Sequence, residues 1–192
     1  ALSNGSLTEE HALASYRSQG QSRALRLVYH SLQADPHPII ESNLTIPVRA
    51  AVPPTVSTQL SVAGVDQGIE IFTATSGLSE SVDETIRQAV RFDASSFATG
   101  RYPYQLSLTS HYAQSSISSI LSANVLVNNQ QNSAFGAGWS LEDVSKLLFQ
   151  PNGDVLIVAG DGSLLTFREV AGAQAGLAGA WSFDDQVNPT AD

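Results

Sequence analysis

The chain has 192 residues, enough for one large or two small domains with real cores. A net charge of −9, with nine basic residues scattered singly, excludes the clustered Lys and Arg that nucleic acid or an anionic membrane surface requires. There is no cysteine, which removes disulfide frameworks, thiolate zinc sites and cysteine nucleophiles, and the 14% of charged residues is low.

Ser3-Asn4-Gly5-Ser6 reads as a turn. Residues 7–18 admit two readings: a short helix capped by Thr8 through Glu9, Glu10 and Ala12, or an extended segment closing at the Ser18-Gln19-Gly20-Gln21 turn. The strand is preferred, because Leu25, Leu27 and Tyr29 next alternate with Arg26, Val28 and His30 at period two. That strand is expected to run to Ser31 and to end at Asp35-Pro36-His37-Pro38. Further strands are predicted at Leu44-Thr45-Ile46-Pro47-Val48-Arg49, with Pro47 as an edge proline, through Val56, Thr58, Leu60 and Val62 to an Ala63-Gly64 turn, and at Ile69-Glu70-Ile71-Phe72-Thr73. Residues 84–93 fit either period. Val82, Ile86 and Val90 are four apart, yet Ile86, Val90 and Phe92 also share one strand face, and the strand is preferred because Phe92 breaks the helical stripe. Tyr102-Pro103-Tyr104 resumes extended structure as far as Tyr112, after a polar connection. Short strands with turn signals about every ten residues suit a β-sandwich. Residues 115–127 alternate only in part, and Asn128-Asn129-Gln130-Gln131-Asn132 reads as a solvated returning loop.

Phe135-Gly136-Ala137-Gly138-Trp139-Ser140 follows. Two glycines flanking a small residue between aromatics suit a tight bend covered by rings, and on the residues alone equally an ordinary loop-to-strand corner. Leu147-Leu148-Phe149 and Val155-Leu156-Ile157-Val158 are joined through Asn152-Gly153, a hairpin signal, and Gly160-Asp161-Gly162-Ser163 adds a third strand at Leu164-Leu165-Thr166-Phe167. Strand 23–31 has one apolar face to bury, so it is expected in the same sheet as this hairpin. Beyond Val170, alternating Ala and Gly read as a flexible tail, with Trp181-Ser182-Phe183 opening a further element.

The Phe-Gly-x-Gly-Trp-Ser element before Asp-Gly hairpins resembles the opening of an Rhs/YD-repeat shell, the family of polymorphic toxins, insecticidal toxin complexes and teneurins. Leu25, Leu27, Tyr29 and Ser31 fit the Leu-x-Leu-x-Tyr-x-Ser strand that opens such shells. The intervening stretch resembles the fibronectin-like plug that caps them. The resemblance implies an all-β chain with first shell strands at 1–42 and a fibronectin/Ig-like sandwich at 43–112 inserted between antiparallel shell strands. Return segment and first hairpins would fill 113–170, and a tail 171–192. Its structural motif would be Leu25, Leu27, Tyr29, Ser31, Phe135, Gly136, Gly138 and Trp139.

Catalytic signals are lacking. The four histidines, at positions 11, 30, 37 and 111, show no ligand spacing, and His30 is expected on an exposed strand face, so neither metal nor cofactor is expected. Asp83-Glu84 and Asp184-Asp185 point to opposite strand faces and cannot share a proton, and no Gly-x-Ser-x-Gly elbow exists. Three function classes remain. The resemblance implies a non-catalytic plug of a secreted or cell-surface cocoon, partnered by the remainder of the same large chain and by an enclosed toxin domain or a surface receptor. The alternative is a stand-alone carbohydrate- or protein-binding sandwich, with Tyr102, Tyr104 and Tyr112 stacking on sugars or else serving as core. A hydrolase is the weakest reading. With no methionine and a start at Ala1, the chain is expected to be a piece of a longer one, any export signal lying upstream.

Overall fold

A computed structural model describes residues 6–169 and 181–183. The chain is all-β with antiparallel sheets, and its strands in order are β1 (Thr8–Ser18), β2 (Gln21–His30), β3 (Ile39–Ile46), β4 (Thr55–Val62), β5 (Val65–Ala74), β6 (Glu84–Arg91), β7 (Gly100–Tyr112), β8 (Ser115–Val127), β9 (Trp139–Leu141), β10 (Lys146–Phe149), β11 (Val155–Val158), β12 (Leu164–Glu169) and β13 (Trp181–Phe183). A short helix, α1 (Ser31–Ala34), follows β2. Apart from β13, the expected tail at 171–192 lies outside the described residues. No described helix is long and apolar enough to cross a membrane.

Contacts divide the chain into two compact units, Ala1–His37 with Ala94–Arg101 and Leu126–Asp192, and Pro38–Asp93 with Tyr102–Val125. Relative to the expected 43–112 span, the second unit also takes in β3 from its start and most of β8, while residues 94–101 belong to the first.

The second unit is sandwich-like. A two-stranded sheet, β3-β6, accompanies a four-stranded sheet of order β5-β4-β7-β8. Strand β6 buries every second residue, Ile86, Gln88 and Val90, and exposes Arg87, Ala89 and Arg91. Period-two burial therefore wins over the helical spacing, because the facing strand β4 offers Val56, Thr58, Leu60 and Val62, all fully buried. Gln88 is buried among these apolar residues because its amide is satisfied across the sheets: it accepts from the Thr58 hydroxyl and donates to the Thr73 hydroxyl. Ile46, Val56 and Ile86 form one buried cluster of the core, with Leu44, Ala50, Val52 and Leu78 packed against it. The β4–β5 hairpin closes through Ala63 and Gly64 at φ of 52° and 77°, the turn geometry that matches strand twist.

In the first unit, β1, β2 and β9 form one sheet and β10 to β13 another. Of residues 7–18, Thr8–Ser18 are a strand, as preferred from the sequence, hairpinned to β2 through Gln19 and Gly20 at φ of 51° and 80°. Two expectations are corrected. Strand β2 ends at His30, and Ser31 starts α1. Strand β2 also pairs with β9 (Leu27↔Leu141, Val28↔Ser140, Tyr29↔Trp139), while the hairpin β10–β11 lies in the other sheet. The edge of β2 is taken by the three residues that emerge directly from the glycine bend, so the hairpin has no access to it.

Candidate functional site

The region where the sequence concentrates its unusual residues is the junction around Phe135 to Ser140. Its glycines are required by geometry. Gly138 is buried at φ +78°, and a Cβ there would lie 2.7 Å from the Ala34 Cβ, 2.8 Å from the His30 carbonyl oxygen and 2.8 Å from the Tyr29 ring. No L-residue fits without displacing β2 or α1. In this position the Gly138 N–H donates to the Gln130 carbonyl at 3.0 Å, and its carbonyl accepts from the His30 N–H at 2.9 Å. Gly136 also has positive φ, +106°, but its Cβ position is 3.5 Å from Trp139, so backbone conformation alone selects glycine there.

The rings divide their roles unequally. Trp139 is half-buried and packs on Tyr29, centroids 5.3 Å apart and planes tilted by 45°, a cross-strand aromatic pair. Phe135 was expected to supply buried area but is 47% exposed. Of the opening-strand residues, Leu27 and Tyr29 are half-buried and Leu25 is exposed, while Val28, on the opposite face, is the buried one. Ser31 acts as a clamp: its hydroxyl accepts from the Leu7 N–H at 2.8 Å and its own N–H donates to the Leu7 carbonyl at 3.0 Å.

Three features of the junction escaped sequence reasoning. First, Asn128 to Gln130 are a polar latch and no solvated loop. The Asn129 amide donates to the carbonyls of Ser95 (2.9 Å) and Phe97 (2.8 Å), and its backbone exchanges two bonds with the Thr99 hydroxyl. Asn128 donates to the Gly162 carbonyl at 3.1 Å, which also accepts from Gln33 at 3.2 Å, and the Gln130 N–H donates to the Gln33 carbonyl. Second, Gly160 is a contact glycine: a Cβ there would fall 1.9 Å from the Leu141 carbonyl oxygen, and the Ser140 hydroxyl donates to the Gly160 carbonyl at 2.7 Å. Third, Arg101 and Asp154 form an ion pair at 3.2 Å with side chains only 12% and 8% exposed. An Asn-rich run after a strand is a signal for the latch, since Asn mimics backbone groups. The ion pair leaves no local signal, its partners being far apart in sequence.

His30 is half-buried, correcting the exposed face expected for it; its Nδ1 lies 3.5 Å from the Thr8 hydroxyl and its Nε2 is buried. Asp161 is held below the usual carboxylate range, chiefly by hydrogen bonds from the Ser163 hydroxyl (2.7 Å) and N–H (2.9 Å). Among the described residues, no three His, Asp or Glu side chains gather as metal ligands would. The tyrosines of the binding alternative face inward. Tyr104 opposes fully buried Val62, shares a strand face with Tyr102, and has its pKa raised by burial. Tyr112 directs its hydroxyl at the Ala51 carbonyl, 3.4 Å away. Comparison with protein-family models and with curated proteins found no match.

Proposed function

We propose that the chain is a non-catalytic structural module: the plug and opening strands of a large secreted Rhs/YD-repeat cocoon that encloses a toxin or displays adhesive surfaces. Its partner is the remainder of the same large chain. The observation that carries this reading is the junction. A Phe-Gly-x-Gly-Trp-Ser bend fits against the opening strand through Gly138 and against the turn of the first hairpins through Gly160, so one short element fixes the sheet behind it and the sheet ahead. Such a device suits a chain that leaves one module and begins another.

The exposed apolar side chains fit the same reading. Leu13, Tyr16 and Leu25 on the β1–β2 hairpin and Leu147 and Phe149 on β10 lie open to solvent, and successive shell strands would cover them. The discriminating experiment is to read the coding sequence around this chain. Repeated hairpins with Asp-Gly turns and terminal aromatics after Asp192 are expected; an unrelated domain there contradicts the proposal.

A further inference from the structure

The four-stranded sheet of the second unit has an outer face that the plug role does not use. In the register of β4, Ser57 opposes Phe72 and Thr109, Gln59 opposes Glu70 and Ser107, and Ser61 opposes Gln105. The pattern continues onto β8, where Thr109 and Ser118 hydroxyls lie 2.8 Å apart and His111 Nδ1 lies 3.2 Å from the Ser116 hydroxyl. These residues alternate with Val56, Thr58, Leu60 and Val62 of the core, so they point to the other face, where Ser57 alone of the β4 residues is covered, at 6% exposure. The result is a surface of hydroxyls and amides carrying two apolar side chains, Phe72 at 62% and Ile120 at 65% exposure.

The polar groups are held in place. His111 is fixed between Ser57, 2.8 Å from its Nε2, and Ser116, and it lies beside the Phe72 ring, centroids 6.4 Å apart. Gln59 Nε2 donates to Asp66 Oδ2 at 2.9 Å, which leaves its Oε1 to accept. Gln59, Ser61, Asp66, Gln105, Ser107 and Ile120 line an open depression of about 220 Å³. The Ser57–His111 pair has the spacing of a nucleophile and base. However, Ser57 sits mid-strand between two paired neighbours, where the backbone N–H groups that would form an oxyanion hole belong to the ladders. Acyl transfer is therefore not supported. Asp66 and Glu70 disfavour anions.

We infer that this face is a binding platform for a neutral, linear pyranose oligosaccharide. Phe72 stacks on the C–H face of one ring, and Gln59, Asp66 and Ser107 exchange hydrogen bonds with the hydroxyls of its neighbours. A sugar presents one apolar face and a rim of donors and acceptors; the exposed Phe72 ring matches the first, and the depression of amide, carboxylate and hydroxyl groups on the same sheet face matches the second. Strands β5 to β8 span about three sheet spacings, about 14 Å, the length of a short oligosaccharide. Preorganisation of His111 and Gln59 reduces the ordering cost of binding. The inference stands apart from the shell reading, since it uses only the second unit's own surface.

The test is an NMR titration of the intact 192-residue chain with cellohexaose, xylohexaose and chitohexaose. Saturable amide shifts confined to β4, β5, β7 and β8 are expected with at least one of them. Phe72→Ala and Gln59→Ala should each weaken that binding by about threefold to tenfold, the loss of one good contact, with the melting temperature unchanged because both side chains are surface groups. No saturable shifts with any of the three sugars overturns the inference. So do shifts that map to another surface, or binding that both substitutions leave intact.

Discussion

Replacing Gly138 with alanine places one methyl group where three atoms already stand: the Ala34 Cβ at 2.7 Å, the His30 carbonyl oxygen at 2.8 Å and the Tyr29 ring at 2.8 Å. Two costs combine. Holding a non-glycine residue at φ +78° costs about 1–2 kcal/mol, and overpacking against backbone and a ring costs about 1–3 kcal/mol more. The sum is about 2–5 kcal/mol, a large share of the stability of an ordinary domain. Gly136→Ala is the internal control: at φ +106° it meets nothing closer than 3.5 Å, so it incurs the backbone cost alone. Urea unfolding followed by tryptophan fluorescence reads both variants, because Trp139 packs on Tyr29 within the affected sheet. A Gly138→Ala midpoint equal to wild type, or no worse than that of Gly136→Ala, refutes the claim that the junction is closed by contact at Gly138.

The other predictions follow the same geometry. Trp139→Ala should cost about 2–3 kcal/mol in thermal unfolding, below the range for a fully buried aromatic because this ring is only half-buried. Removing one partner of the Arg101–Asp154 pair deletes a charge-assisted bond between side chains only 12% and 8% exposed, so Asp154→Ala should cost about 1.5–3 kcal/mol, measured by urea unfolding, and Arg101→Ala a similar amount. The Asp161 carboxyl should titrate below its ordinary value of 3.8 in a carbon-13 NMR titration, and Ser163→Ala should bring it back up. A depressed folded-state pKa means that the stabilisation from Asp161 is present above the unfolded pKa and is lost only as pH falls through the folded value, so that loss belongs to strongly acidic solution. A Ser163→Ala chain with an unchanged Asp161 titration contradicts the hydrogen-bond cause.

Period-two alternation carried most of the strand placement, because each strand of the sandwich buries one face. Ile86 and Val90 on β6 and Val56 to Val62 on β4 announced that face directly. The opening strand misled for a physical reason. Leu25, Leu27 and Tyr29 look like a core face, yet Leu25 stays exposed and Val28 beneath is the buried residue. The glycine bend was legible as a bend, but its partners were not. A Cβ-excluding contact depends on which backbone arrives from elsewhere, and the Ala34, His30 and Tyr29 neighbours of Gly138 come from segments far from it in the sequence. The latch at Asn128 to Gln130 was missed because polarity was equated with solvation. Those amides bond instead to the carbonyls of Ser95, Phe97 and Gly162.

The bend at Phe135 to Ser140 welds the β1–β2–β9 sheet and the β10–β12 hairpins into one cooperative unit, and native-state hydrogen exchange across a urea series on the intact chain reads that cooperativity. The amides of His30, Gln130, Gly138 and Trp139 should open with the same free energy and the same urea dependence as those of β11 and β12. Exchange of His30 and Gly138 together with β4 and β7, at an opening energy distinct from that of the hairpins, would contradict the account.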